Sequence, residues 1–220
     1  MRDDPILLTG VYRSGTTILS CMLGAHPEIN FTYGSVNYLR WFVEKAIDPI
    51  KYKEIVLLHF DAHADLRESY NNEKYSHASA IKRCLDFNNV KVVSFGIRNL
   101  SEFEMNFYKK NKKRIKIFWA KDKKKWNLKM LSKLFKNKNV YITFDVDCLD
   151  SSIMPATGTP EPGGLLWEEV LPIIKKVCQI SNILGADINE LAPIKKFDSY
   201  NFLVAKLVYK IITYIFEFKK

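Results

Sequence analysis

IVLLHFDAHAD, residues 55–65, decides how the rest of this chain is read. Six residues that are apolar except for His59 break abruptly into Asp61, His63 and Asp65. A strand covered on both faces reads as such a continuous run, and in a parallel sheet the polar groups collect where strands end. Alternation puts Asp61, His63 and Asp65 on one side if the strand persists, and a loop gathers them equally well.

Working outward, VYITF (140–144) ends in the same manner, in Asp145-Val146-Asp147. Further β-branched or aromatic runs occupy 90–95, 115–119 and 183–186, and helix-compatible stretches lie at 77–86, 101–110, 128–135 and 167–179. Strands alternating with helices predict a three-layer α/β fold, a parallel sheet with helices on both faces. Its functional crevice is expected just beyond the strand carboxyl ends.

Several carboxylates buried beside a sheet cost several kcal/mol, of the order found for unpaired buried charge, unless a cation or partner neutralises them. Taken singly, each acidic pair also reads as a helix cap or turn. Taken together, Asp61, His63, Asp65, Asp145 and Asp147 read as a cation site. Oxygen ligands with one imidazole suit Mn2+; zinc favours more nitrogen or sulfur, and calcium rarely takes histidine. His59, two residues before Asp61, reads as a satisfied core histidine rather than a ligand.

These residues resemble the ureohydrolases, the family of arginase and agmatinase. The resemblance is carried by FDAHADLR (60–67), EKYSHAS (73–79), FDVDCLDSSIMPATGTPEPGGL (144–165) and GADINELAP (185–193), and it covers residues 51–220 in the order and spacing of the agmatinase branch. It implies an arginase-like fold and a binuclear Mn2+ centre. In that centre Asp61 and Asp145 bridge, His63 and Asp147 serve one metal, and Asp65 serves the other. It further implies that His77 relays protons and that Glu190 holds the substrate guanidinium. The chemistry agrees. A guanidinium carbon is a poor electrophile, so hydrolysis needs a hydroxide made at neutral pH between two cations. The departing amine needs a proton from a group such as histidine, and a glutamate pairs bidentately with a guanidinium. LRESYNNEKYS (66–76) stands where arginases read the amino-acid end of the substrate, so a guanidino-amine such as agmatine is the expected small-molecule substrate, in keeping with polyamine metabolism. ATGTPEPGG (156–164) is expected to shape the approach to the site, in a structural role only.

The family's upstream histidine, in a Gly-Gly-Asp/Glu-His-Ser loop, has no counterpart here, so one metal site is expected to lack its imidazole and activity to be impaired. The first fifty residues instead resemble the opening of sulfotransferases. There PILLTGV (5–11) leads into Gly10-Val-Tyr-Arg-Ser-Gly15-Thr-Thr17, a loop in which Arg13, Ser14, Gly15, Thr16 and Thr17 would cradle the phosphosulfate of PAPS. Thr16 occupies the place of the lysine that nucleoside triphosphatases need. The chain thus divides into a sulfotransferase-like fragment, 1–50, and an agmatinase-like domain, 51–220, joined as an apparent chimera. Beside the hydrolase stand two other readings: a catalytically weak metal-binding remnant, and a PAPS- or phosphate-binding module.

Composition narrows the classes. The chain has 220 residues, 47% of them apolar, which is enough to bury a core. The net charge of +10 comes from residues 109–138, where 14 Lys or Arg face the single acid Asp122. That segment lacks the glycine-flanked aromatics of a base-stacking platform, so it reads as a solvated lysine-rich helix and loop without a nucleic-acid partner. The richest apolar segment, 202–216, carries Lys206 and Lys210, so no membrane span is expected. Four cysteines set far apart and the absence of a secretory start point to a reducing cytoplasm. Assembly into a homo-oligomer stays open.

Overall fold

The computed structural model describes residues 52–127 and 129–219. The phosphate-loop residues Arg13, Ser14, Gly15, Thr16 and Thr17, and the whole 1–50 fragment, lie outside the described residues.

Five parallel strands form one sheet: β1 (Ile55–Phe60), β2 (Val90–Phe95), β3 (Ile115–Phe118), β4 (Asn139–Asp145) and β5 (Asn182–Asn189). Their spatial order is β3-β2-β1-β4-β5. The chain therefore moves outward from β1 in one direction, then returns to begin again at β4 on the other side. The gap between β1 and β4 is the topological switch point of the sheet, where an open α/β fold leaves a crevice at the strand carboxyl ends. The Asp61 and Asp145 runs end on its two sides.

Helices cover both faces. A short 3-10 turn, His77–Ser79, leads into α1 (Ala80–Cys84), followed by α2 (Glu102–Lys110), α3 (Lys129–Phe135), α4 (Trp167–Ile180) and α5 (Asp198–Glu217). Leu131 and Phe135 of α3, Ile173 and Val177 of α4 and Leu207 and Ile211 of α5 join one core. Ile81 and Cys84 of α1 join the other, with Phe107 and Tyr108 of α2 packed against it. This is the three-layer arrangement that the alternating strands and helices predict. Helix α5 was not expected. Its buried positions, Val204, Leu207, Val208, Ile211 and Tyr214, follow helical spacing, but the uniformly apolar setting obscures that period.

Register sets what each face carries. Phe60 of β1 pairs with Phe95 of β2 and Phe144 of β4, and Phe95 pairs with Phe118 of β3. This row of rings packs at centroid distances of 5.6, 5.0 and 4.4 Å on the α3, α4 and α5 side. Truncating the buried Phe60 to alanine removes the middle of the row, a loss of about 3–5 kcal/mol for such core positions. One residue earlier on β1, β2 and β4 the side chains point to the opposite face, and there they are polar, His59, Ser94 and Thr143, whereas β3 places the apolar Ile117 at that level. At the end of β2 the chain turns through Gly96, whose φ of 93° and close neighbours, Asp61 O and Cys148 Sγ both 3.0 Å from an added Cβ, admit only glycine.

Candidate metal centre

Asp61 stands at the step from β1 into the loop. Its amide donates to the Phe95 carbonyl at 3.1 Å, continuing the strand pairing by one residue. Its Oδ1 accepts from the His63 amide at 2.6 Å, a short turn that folds His63 back over the strand end. The next residues are tied from three directions. Buried Glu104 accepts from the Leu66 amide at 3.0 Å while closing the capping box of α2 with Ser101. The Lys82 amide donates to the Asp65 carbonyl at 3.0 Å, and the Arg67 amide to the Ala78 carbonyl at 3.2 Å. Asp65 itself adopts φ 52°, a left-handed kink that aspartate tolerates better than most residues. The last bond also fixes the segment that begins at His77.

Asp145 and Asp147 come from the other side of the switch point. The Asp147 amide donates to Asp145 Oδ1 at 2.9 Å, and Asp147 Oδ1 accepts from the Ala62 amide at 2.9 Å. Asp147 Oδ2 lies 2.9 Å from His63 Nδ1, and Asp61 Oδ1 lies 3.5 Å from the same nitrogen. Asp61, His63 and Asp147 thus bring one ligand-type atom each within 4.8 Å of one another. His59, Asp61 and Asp65 form a second such group. A mixed oxygen and nitrogen set of this kind fits a divalent transition ion.

Crowding several buried carboxylates around one imidazole sets the electrostatics of the site. Burial, then the nearby Asp61, drive the Asp65 and Asp145 carboxyls well above their ordinary range. Burial also raises Asp147, against its bond to His63. The bonds to Asp147 and Asp61 push His63 up to about 10. Asp61 alone moves down: burial opposes its charge, but the bonds from His59 and His63 outweigh it.

His77 and Glu190 stand within electrostatic reach of one another. Burial raises the Glu190 carboxyl, and the neighbouring His77 pulls it back while Asp147 and Asp61 push it further. Glu190 follows β5 with φ 63°, in a segment anchored by a Thr157 to Leu191 bridge and an Ala192 amide to Ala156 carbonyl bond of 2.8 Å. The Tyr70 ring meets His77 edge to face at 5.2 Å. Asp61, His63, Asp65, Asp145, Asp147 and Glu190 thus lie about the ends of β1, β4 and β5, while His77 is exposed and is linked to them electrostatically through Glu190.

Sequence reasoning missed several participants. His59 satisfies both of its nitrogens in the core, as expected, yet one partner is Asp61; its spacing of two from Asp61 on one strand was the available signal. The 156–164 segment does more than shape the approach. Thr159 Oγ1 donates to Asp147 Oδ2 at 3.4 Å, and Glu161 Oε1 stands 3.9 Å from His63 Nε2 while accepting from Asn99 at 2.6 Å. Nothing in the composition of that Gly/Pro cluster marked Thr159 or Glu161 as facing inward.

The family model for the arginase family matches residues 32–213. The chain belongs to the arginase family. The match begins upstream of the boundary drawn near residue 50, within a stretch that lies outside the described residues. Agmatinase from Halalkalibacterium halodurans is 36% identical over 171 residues, 77% of this chain and 57% of that protein. N(1)-aminopropylagmatine ureohydrolase from Synechocystis sp. is 32% identical over 161 residues, 72% of this chain and 51% of that protein. This arginase-family chain spans about half the length of the curated relatives it matches. Among solved structures, agmatine ureohydrolase of Thermoplasma volcanium superposes with a TM-score of 0.67 at 26% identity, covering 85% of this chain and 71% of that one. Proclavaminate amidino hydrolase from Streptomyces clavuligerus reaches a TM-score of 0.69 at 20% identity, covering 83% and 62%, and shares the fold. Among the described residues no helix is long and apolar enough to cross a membrane.

Proposed function

We propose that this chain hydrolyses a guanidino-amine, of the agmatine class, to urea and an amine, using Mn2+ held by Asp61, His63, Asp65, Asp145 and Asp147. The observation that carries this reading is the convergence of Asp61, His63 and Asp147 within 4.8 Å at the switch point, with Glu190 electrostatically coupled to the same crevice. Bound divalent cations there supply Lewis-acid activation of water and balance the carboxylate charge.

The chain's own residues do the rest. Glu190, whose carboxyl burial raises, ionises when a guanidinium settles against it, and a bidentate pair fixes the planar group. Water adds to the guanidinium carbon and gives up a proton, the bond to the alkyl-bearing nitrogen breaks, and the departing amine takes up that proton, relayed by His77. The Arg67 amide bond to the Ala78 carbonyl keeps that histidine at the rim. Relatives named for agmatine and aminopropylagmatine support a substrate with an amine tail rather than an amino-acid end.

The test is urea release by the purified chain with added Mn2+. Agmatine is expected to be cleaved faster than arginine. Equal rates, or faster arginine cleavage, would refute the guanidino-amine assignment. Tight Mn2+ binding with no urea from either substrate would leave a cation-binding fold without hydrolysis.

A further inference from the structure

Ser94 of β2, His59 of β1, Thr143 of β4 and Asp187 of β5 occupy one register line. Ser94 pairs with His59, His59 with Thr143, and Thr143 with Asp187. Their side chains share the α1 and α2 face, opposite the row of phenylalanine rings. His59, Ser94 and Asp187 are buried, His59 with 2% exposure. A polar row inside a sheet persists only where its members are bonded. Here His59 Nδ1 meets Ser94 Oγ at 3.1 Å, and Thr143 Oγ1 donates to Asp187 Oδ1 at 2.9 Å. One strand period nearer the carboxyl ends, on the same face, stand Asp61 beyond His59 and Asp145 beyond Thr143.

We infer that His59 is a positioning residue for the cation site: seated on Ser94, it fixes the Asp61 carboxylate in the orientation that serves the ion, and it does not ligate the ion itself. The inference rests on the reading of Asp61 as a cation ligand and is independent of whether the chain hydrolyses anything.

The geometry supports it at both ends of the imidazole. His59 Nε2 lies 2.9 Å from Asp61 Oδ2, while Asp61 Oδ1 takes the His63 amide. Asp61 Oδ2 thus has His59, Oδ1 has the amide and, at 3.5 Å, the ring of His63, and both oxygens retain lone-pair capacity toward the crevice. With the Ser94 hydroxyl donating to Nδ1, the imidazole proton sits on Nε2 and is donated to Asp61. That tautomer is assigned from the bonding pattern. A ring with both nitrogens engaged cannot turn without losing both bonds, so the Asp61 torsion is settled before an ion arrives. Direct ligation, which the proximity of His59, Asp61 and Asp65 invites, would require Nε2 to abandon Asp61. Outer partners of this kind contribute 10- to 100-fold in affinity at metal sites, roughly, when removed.

The experiment measures Mn2+ affinity by calorimetry, and metal-free thermal stability, for the full chain and for His59→Gln, His59→Phe and Ser94→Ala. His59→Phe should weaken Mn2+ binding by roughly 10- to 100-fold. His59→Gln, whose amide still donates toward Asp61, should recover most of that loss, and Ser94→Ala should show a smaller weakening. Melting shifts with unchanged Mn2+ affinity in His59→Gln, His59→Phe and Ser94→Ala would reduce His59 to a packing role and overturn the inference, as would failure of the unaltered chain to bind Mn2+. Pulsed electron paramagnetic resonance closes the remaining route. Nitrogen coupling to Mn2+ that survives His63→Ala and disappears on adding His59→Gln would make His59 a ligand and also overturn it. Absence of urea from an unaltered chain that binds Mn2+ strikes only the hydrolase reading.

Discussion

Arg98 donates through Nη2 to the main-chain carbonyl of Asp147 at 2.7 Å, so a residue just past β2 holds the turn that follows β4. The same guanidinium reaches the carbonyls of Gly96, Glu161 and Pro162 at 3.0, 2.7 and 3.0 Å, and those of Cys148 and Leu149 at 3.3 Å. One planar cation thereby joins the strand ends to the 156–164 segment. Arg98→Ala leaves several of those carbonyls without a partner. Bonds to a charged group contribute about 1.5–3 kcal/mol each, and the loss is shared among them, so a destabilisation of roughly 2–4 kcal/mol is expected. Urea unfolding checks the figure, and Arg98→Lys should recover only a fraction because a point charge cannot span the fork.

His77→Ala should lower turnover of agmatine by roughly 10²- to 10⁴-fold, the range for loss of a positioned proton donor, while leaving Mn2+ affinity within a few-fold. Parallel kinetics and calorimetry decide the matter. Loss of metal binding in step with turnover would mean that His77 supports the site's structure instead of the reaction.

Metal stoichiometry separates the two ligand groups. Asp61, His63, Asp145 and Asp147 give one ion a nitrogen and several oxygens, whereas the Asp65 side depends on carboxylates alone if His59 stays bonded to Ser94 and Asp61. One tightly retained Mn2+ per chain is expected after dialysis, with a second appearing only at high concentration. His63→Ala should abolish the tight equivalent, and Asp65→Ala should spare it. Two retained equivalents in the unaltered chain would show that the Asp65 side has an imidazole of its own.

Asp187 carries a pH signature. Burial lifts its carboxyl to about 6, against the bonds from Thr143, Tyr141 and Asn189. A raised carboxyl binds its proton more tightly in the folded chain than in the unfolded one. Its contribution to stability is therefore full below about pH 4 and is lost as pH rises through about 6, a swing of roughly 3 kcal/mol. Asp187→Asn keeps the Oδ1 acceptor for Thr143 and Asn189 while removing the charge. The metal-free variant should equal the parent near pH 4 and exceed it near pH 7 in urea denaturation; identical curves across that window would contradict the assignment.

The strand ends were legible because burial on both faces leaves an unbroken apolar run, and Asp61 or Asp145 interrupts it without ambiguity. His77 and Glu190 were legible only through their motifs, since nothing in the local pattern of either loop says which way the side chain turns. Arg98, Asn99 and Glu161 could not be read at all. Their partners lie some fifty to sixty residues away and depend on the Leu149 to Leu165 bridge that folds the long segment back. Helix α5 was hidden for a different reason: with Phe202, Tyr209 and Phe216 apolar yet exposed, its two faces differ too little in hydropathy for the period to show.

The pairing of β1 with β4 sets Ile55 beside Asn139, with β2 and β3 laid down between them in the chain. Closing that long intervening span is entropically slow compared with forming α1 or docking β2 on β1. Asp61 and Asp147 meet only when this closure is complete, so each half of the cation site waits for the other during folding. A chain interrupted after β3 would present Asp61, His63 and Asp65 with no opposing carboxylates. Release of ion-binding capacity in refolding should accordingly track the latest structural phase rather than the first appearance of helix, making cation capture a reporter of the finished sheet.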